Sequence, residues 1–123
     1  PALVISGGGN DMFAHLADFL VDYSDGAEPI DLIDQSKFSP ILTAVMDSYA
    51  TILSDVATSY PSVTVFTHGY DLPYPLQDGK WIGPALDQHK IPFEIGRSVL
   101  KVIMDMFNMA LIDLAAHQPN MVF

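Results

Sequence analysis

Leu3-Val4-Ile5-Ser6-Gly7-Gly8-Gly9-Asn10-Asp11 is an apolar run that breaks into three glycines and then an Asn-Asp pair. The run from Ala2 to Ile5 predicts a short parallel strand, covered on both faces. Glycines let the backbone turn sharply and come close to a ligand, and the Asn10 amide is the next side chain that can donate a hydrogen bond. The stretch therefore predicts the rim of an active site.

Two helices and a second strand are predicted after this turn. A short helix capped by Asp11 runs to about Tyr23, because its apolar residues have helical spacing. A long amphipathic helix follows from Ile41 to Pro61, with Ser36 or Ser39 as N-cap and Pro40 at a first helical position. Ser62 to His68 then predicts a second buried strand.

The last third of the chain is predicted to be a loop, a helix and the start of a strand. Gly69 to Pro92 is rich in glycine and proline, which predicts a long and functional loop. Phe93 to about His117 is a helix with apolar residues on two rows and a narrow polar stripe. Met121-Val122-Phe123 predicts the start of a third parallel strand.

Composition limits the function classes. The 123 residues suit a single domain, 1–123, and the net charge of −10, from 15 acidic and 5 basic residues, argues against nucleic acid or an anionic membrane as partner. The chain has no cysteine, which excludes disulfides and thiolate zinc sites. We expect no cofactor, no metal and no membrane span, with a cytoplasmic location as the default. The chain starts at Pro1, which fits either an open reading frame whose initiator Met was removed or a piece of a longer protein.

The order of these motifs resembles the SGNH hydrolases, the GDSL-like lipase and acylhydrolase family. The resemblance rests on Gly8-Gly9-Asn10-Asp11, then His68-Gly69-Tyr70-Asp71-Leu72-Pro73, then Trp81-Ile82-Gly83-Pro84. It covers the whole chain but matches only the middle of the family's fold. It implies a truncated three-layer α/β/α, flavodoxin-like core with about three parallel strands.

The resemblance also implies roles for particular residues. Gly8 and Asn10 match the family's Gly-x-Asn-Asp block, so Asn10 would be the oxyanion-hole amide of the catalytic turn. The family's Gly-Asp-Ser nucleophile turn is absent, and the only Asp-Ser, Asp47-Ser48, lies in the long predicted helix. No Asp-x-x-His pair occurs either. An oxyanion donor without a nucleophile and a base has nothing to stabilise.

Four residues of the long loop are candidates for substrate binding: His68, Tyr70, Asp71 and Trp81. His68 and Asp71 follow a strand, where ligands bind in open parallel sheets, although hydrogen bonds that pin the loop are the commoner role. Tyr70, Tyr74 and Trp81 line a pocket or close over the core, and the sequence leaves both open.

Two functions remain. The first is an oligomeric interaction module without hydrolase activity, a homodimer joined through the exposed N-terminal strand edge or the last helix. The second is a fragment or subunit of a serine esterase whose Ser and His come from missing sequence or a partner chain. A small-ligand binder that uses the glycine turn ranks last, because the turn lacks the basic residue of a phosphate cradle.

Overall fold

The computed structural model describes residues 1–76 and 78–123 as a mixed α/β structure. This confirms the predicted α/β class and its three parallel strands. In chain order the elements are β1 (Ala2–Ile5), α1 (Gly9–Ala14), α2 (Leu16–Phe19), a 3₁₀ helix (Pro29–Leu32), α3 (Gln35–Ser59), β2 (Thr64–Thr67), α4 (Ile82–Gln88), α5 (Phe93–His117) and β3 (Met121–Val122).

The strands form one parallel sheet in the order β1-β2-β3. Val4 lies beside Phe66, and Phe66 lies beside Val122. β1 is therefore an edge strand, and β2 is central. β2 is shorter than the predicted Ser62 to His68, and β3 begins at Met121 as predicted.

Helices cover one face of this sheet. Val65, Thr67 and Met121 are buried on that face. On the opposite face Val4 is 68% exposed, Phe66 41% and Val122 46%. The expectation that β1 is covered on both faces is therefore wrong, and the described residues form two layers where three were expected.

The strand order gives the physical reason for the uncovered face. Parallel crossovers are almost always right-handed, so connections that step through a sheet in one direction lie on the same side of it. Both crossovers here step in the same direction, from β1 to β2 through α3 and from β2 to β3 through α5. Covering the other face requires a connection that steps back past β1, and the described residues contain none.

The core lies between the sheet, α3 and α5. The bounds of α5 match the prediction, and its two apolar rows supply most of its buried side chains, which are Val99, Leu100, Ile103, Met104, Phe107 and Leu111. Those rows pack within the chain, which leaves Met109 and Ile112 as its large exposed apolar residues. Within the described residues no helix has the length and apolar character that crossing a membrane requires.

The long helix starts earlier than predicted. α3 begins at Gln35, and its N-cap is Asp34 rather than Ser36 or Ser39. The Asp34 carboxylate accepts hydrogen bonds from the Ser36 backbone N–H at 3.0 Å and from the Ser36 hydroxyl at 2.6 Å. Pro40 therefore lies inside the helix rather than at its first position. Pro40 is the sixth residue of α3, so the helix lacks the hydrogen bond that an N–H at this position would donate to the Ser36 carbonyl, yet it still begins at the carboxylate cap.

Two other boundaries differ from the prediction. The first helix begins at Gly9 and ends in two short pieces at Phe19, not at Tyr23, because Leu20 forms an antiparallel bridge with Ile33. The predicted loop from Gly69 to Pro92 contains α4. Pro84 is compatible with α4 because it lies in the first turn, where a backbone N–H has no helical partner to lose.

Candidate functional site

The glycine turn joins β1 directly to α1. Gly8 has a φ of +91°, a left-handed conformation that glycine adopts without strain. A Cβ at Gly8 would lie 2.7 Å from Val45 Cγ1 and 3.0 Å from the Phe107 ring. The Tyr49 hydroxyl donates to the Gly7 carbonyl at 3.0 Å. The turn is thus held against α3 and α5 at a point where no side chain fits.

The loop after β2 meets this turn through Tyr70. A Cβ at Gly9 would lie 2.9 Å from Tyr70 Cε1, so the ring lies directly against the glycine backbone. The same ring packs edge-to-face on Phe107, with centroids 5.5 Å apart. Tyr70 therefore closes over the core. The sequence alone left open whether it does so or lines a pocket.

Asn108 fixes this loop to α5. Its Oδ1 accepts from the Tyr70 backbone N–H at 3.0 Å, and its Nδ2 donates to the Tyr70 carbonyl at 3.1 Å. In the sequence pattern Asn108 is only one member of the polar stripe of the last helix. The sequence signal that could have found it is an asparagine on a helix that is apolar on most of its circumference, and the structure shows its amide to be half-buried.

Asn10 and Trp81 share a small cleft. Asn10 is exposed in the first turn of α1, and Trp81 is the N-cap of α4. They line a cleft of about 260 Å³ together with Phe13, Tyr74, Leu76, Gly79, Lys80, Ile82 and Gly83. Tyr74 and Trp81 thus line this cleft, and Tyr70 is not part of its lining. Two of the predicted site residues, Asn10 and Trp81, are brought together.

His68 and Asp71 lie outside that cleft and make local contacts. His68 Nδ1 lies 2.8 Å from the carbonyl oxygen of its neighbour Gly69, so it donates there. The Asp71 carboxylate accepts from the Leu72 backbone N–H at 2.7 Å. Both side chains hold the backbone of the loop, which is the commoner of the two roles considered for them.

A larger cleft of about 570 Å³ opens on the other side of the turn. Its walls are the end of β1 with Gly7 and Gly8, α1 with the following His15, and the middle of α3. Ser48 and His15 both reach this cleft. The Ser48 hydroxyl, however, donates to the Ala44 carbonyl at 2.9 Å, and His15 Nδ1 lies 3.0 Å from Asp18 Oδ2. The serine proton is thus directed to its own helix rather than to a base.

The histidine that is most enclosed has both ring nitrogens engaged. His89 Nδ1 lies 2.9 Å from Asp22 Oδ1, and its Nε2 lies 2.8 Å from the Ala17 carbonyl oxygen. With both ring nitrogens within hydrogen-bond distance of these oxygens, the ring ties the end of α4 to α2 and its neighbouring loop. Among the described residues no group of three or more His, Asp or Glu is placed to hold a metal ion.

Comparison of the chain with family models, with curated proteins and with solved structures finds no match in any of the three.

Proposed function

We propose that this chain is a truncated SGNH-like α/β core that acts as a self-associating interaction module, without esterase activity of its own. The sequence motifs support the ancestry. The sheet order supports it too, since three consecutive strands from one side of a flavodoxin-like sheet have the order β1-β2-β3. In such a sheet β1 would have a further strand beside it.

One observation carries the proposal: the uncovered sheet face and the free edge of β1 form a single surface without charged side chains. Val4, Phe66 and Val122 lie side by side across it. Residues 1–10, 62–67 and 118–123 contain no Asp, Glu, Lys, Arg or His, in a chain whose net charge is −10. Soluble proteins usually protect an edge strand with charged side chains, and exposed apolar patches mark interaction sites.

A second copy of the chain is the partner that this surface suits best. Two copies that each carry a net charge of −10 repel one another wherever acidic residues meet. The uncovered sheet face and the edge of β1 are the region where the two copies can approach without that repulsion. Of the two dimer modes that the sequence suggested, the strand edge is favoured, because the apolar rows of α5 are packed within the chain.

Substitution of Val4 by lysine tests the proposal. We expect the wild-type chain to sediment as a dimer or larger oligomer at micromolar concentration. Val4→Lys should weaken association about 30-fold, since each of two copies loses roughly 1 kcal/mol of apolar cross-strand contact and gains a lysine that opposes pairing of the edge strand. Val21→Lys is the matched control, because Val21 is also an exposed valine, 40% exposed, but lies outside the sheet. A well-folded wild-type monomer at micromolar concentration would refute the proposal.

The esterase alternative rests on the exposed position of Asn10 beside the small cleft. In that case the chain supplies the oxyanion donor and a partner chain supplies the nucleophile and base. Hydrolysis of a short-chain p-nitrophenyl ester by the purified chain, reduced about 100-fold or more by Asn10→Ala, would exclude the non-catalytic module.

A further inference from the structure

The hydrogen-bonding pattern of β1 identifies which of its backbone groups are free. The Thr64 N–H donates to the Pro1 carbonyl at 3.2 Å, and Ala2 lies beside Thr64 in the register. In a parallel ladder alternate residues of a strand turn their N–H and C=O groups toward the same neighbour. The backbone N–H and C=O groups of Leu3 therefore point toward β2, and those of Ala2 and Val4 point away from the sheet.

We infer that β1 pairs antiparallel with β1 of a second copy, in the one register that places Leu3 opposite Leu3. This rests on the proposed self-association and specifies its geometry. A closed dimer has a two-fold axis, and strands that a two-fold axis joins edge to edge run antiparallel. With the axis at Leu3, Ala2 of one copy lies opposite Val4 of the other. The two pairs exchange four hydrogen bonds and use every outward-facing backbone group of the strand.

Neighbouring registers use fewer of these groups. A shift that places Ala2 opposite Ala2 puts Val4 opposite a position outside β1, which begins at Ala2. A shift that places Val4 opposite Val4 requires Ser6 as a partner for Ala2, and Ser6 lies beyond the end of β1 at the glycine turn. The Leu3 register is thus the one in which the four-residue strand complements itself.

The larger cleft provides a second, independent observation. It is lined by Ile5, by the glycine turn, by α1 and by α3, with no residue of β2 or β3, so it lies on the open side of β1. Ile41, Ala44, Ser48 and Ile52 form its α3 wall at helical spacing, without a charge. In the edge-paired dimer the same wall of the second copy faces this one. The small residues Ala44 and Ser48 let the two α3 helices approach and fill the cleft.

Single cysteines test the register directly, because the chain has no cysteine of its own. Leu3→Cys, Val4→Cys and Ser6→Cys would each be oxidised at micromolar concentration and examined by non-reducing electrophoresis and intact mass. In the inferred register the two Leu3 Cα atoms are about 4.5 Å apart, within disulfide range. The two Ser6 Cα atoms are separated by about six residues of strand, roughly 20 Å, which is out of range. We expect Leu3→Cys to become a covalent dimer and Ser6→Cys to stay monomeric on the gel.

Amide exchange on the wild-type chain covers the case in which a cysteine variant fails to fold. At a chain concentration about 50 times Kd only about a tenth of the chains are free, so exchange at Ala2 and Val4 should slow about tenfold relative to dilute protein. Preferential cross-linking of Val4→Cys would overturn the register. A wild-type dimer that neither cross-links through Leu3→Cys nor protects these amides would overturn the edge pairing but leave self-association intact. A wild-type monomer would overturn both.

Discussion

At the scale of single residues, Gly8 combines two constraints that substitutions can separate. Its φ of +91° is strained for any other residue, and a Cβ there would overlap Val45 and Phe107. Gly8→Ala should therefore lower the free energy of unfolding by about 3 kcal/mol, the sum of backbone strain and overpacking. Urea denaturation followed by circular dichroism measures this.

Gly26→Ala is the matched control for that substitution. Gly26 has a φ of +80°, but a Cβ added there would have no other atom within 4 Å, so only the backbone strain remains, about 1 kcal/mol. Equal losses for the two variants would show that Val45 and Phe107 move aside. The conclusion that the turn is held rigidly against the core would then be wrong.

Substitution of Asn108 tests how the loop after β2 is held, because both amide hydrogen bonds of this side chain go to the backbone of Tyr70. Asn108→Ala should cost about 2 kcal/mol of unfolding free energy, since two half-buried backbone groups lose their partners. Asn108→Asp keeps the acceptor for the Tyr70 N–H but turns a second oxygen toward the Tyr70 carbonyl. Its loss should therefore shrink at acid pH, when the carboxyl is protonated and can donate. A loss that does not change with pH for Asn108→Asp would contradict the assigned pairing.

At the scale of elements, the start of α3 should depend on pH. The side-chain hydrogen bond from Ser36 lowers the pKa of the Asp34 carboxyl, and the Ser36 backbone N–H and the Lys37 ammonium act in the same direction. A carboxyl whose pKa is lowered by folding stabilises the folded state above its ordinary pKa, and this contribution is lost as the pH falls through the folded pKa. Asp34→Ala should lower the urea midpoint at about pH 7 and have a smaller effect at about pH 3.

Asp34→Asn is the control for this pH dependence. An asparagine keeps an acceptor for the Ser36 N–H but cannot ionise, so its effect relative to alanine should be the same at both pH values. If Asp34→Ala costs as much at acid pH as at neutral pH, the carboxylate charge does not contribute to the cap.

The same elements show how far the sequence determines the fold. The extent of β1, the bounds of α5 and the start of β3 follow from local patterns, because apolar spacing and helix-breaking residues act within one element. The uncovered sheet face could not be predicted from β1, since an apolar run such as Ala2 to Ile5 is also typical of a strand buried on both faces. The order of the strands and the handedness of their crossovers decide which face of the sheet is covered by helices. Both depend on segments that are distant in sequence.

The candidate site shows a similar limit. Asn10 and Trp81 were predicted as separate site residues, and they line one cleft. The anchoring of Tyr70 by Asn108 joins residues that are 38 positions apart, and no local spacing encodes such a contact. Likewise the tie between His89 and Asp22 depends on how α4 packs on α2, and α4 lies where the sequence predicts only a loop.

At the scale of the whole molecule, edge pairing of β1 leaves the apolar face uncovered and doubles its width. A six-stranded sheet would then present Val4, Phe66 and Val122 from each copy on one side. Two such sheets can pack face to face about 10 Å apart, so we expect dimers to associate further into tetramers. Salt should favour this step, because it screens the repulsion between chains of net charge −10.

Phe66→Lys separates this second step from the first. Phe66 lies on the central strand, away from the β1 edge, so its substitution should remove the tetramer while leaving the dimer. Ile30→Lys is the matched control, since Ile30 is 44% exposed against 41% for Phe66 but belongs to the 3₁₀ helix. Sedimentation velocity across a range of concentration and salt distinguishes the species. If Phe66→Lys forms tetramers as readily as Ile30→Lys, the sheet face does not mediate their assembly, because a buried lysine pair at that interface would cost several kcal/mol.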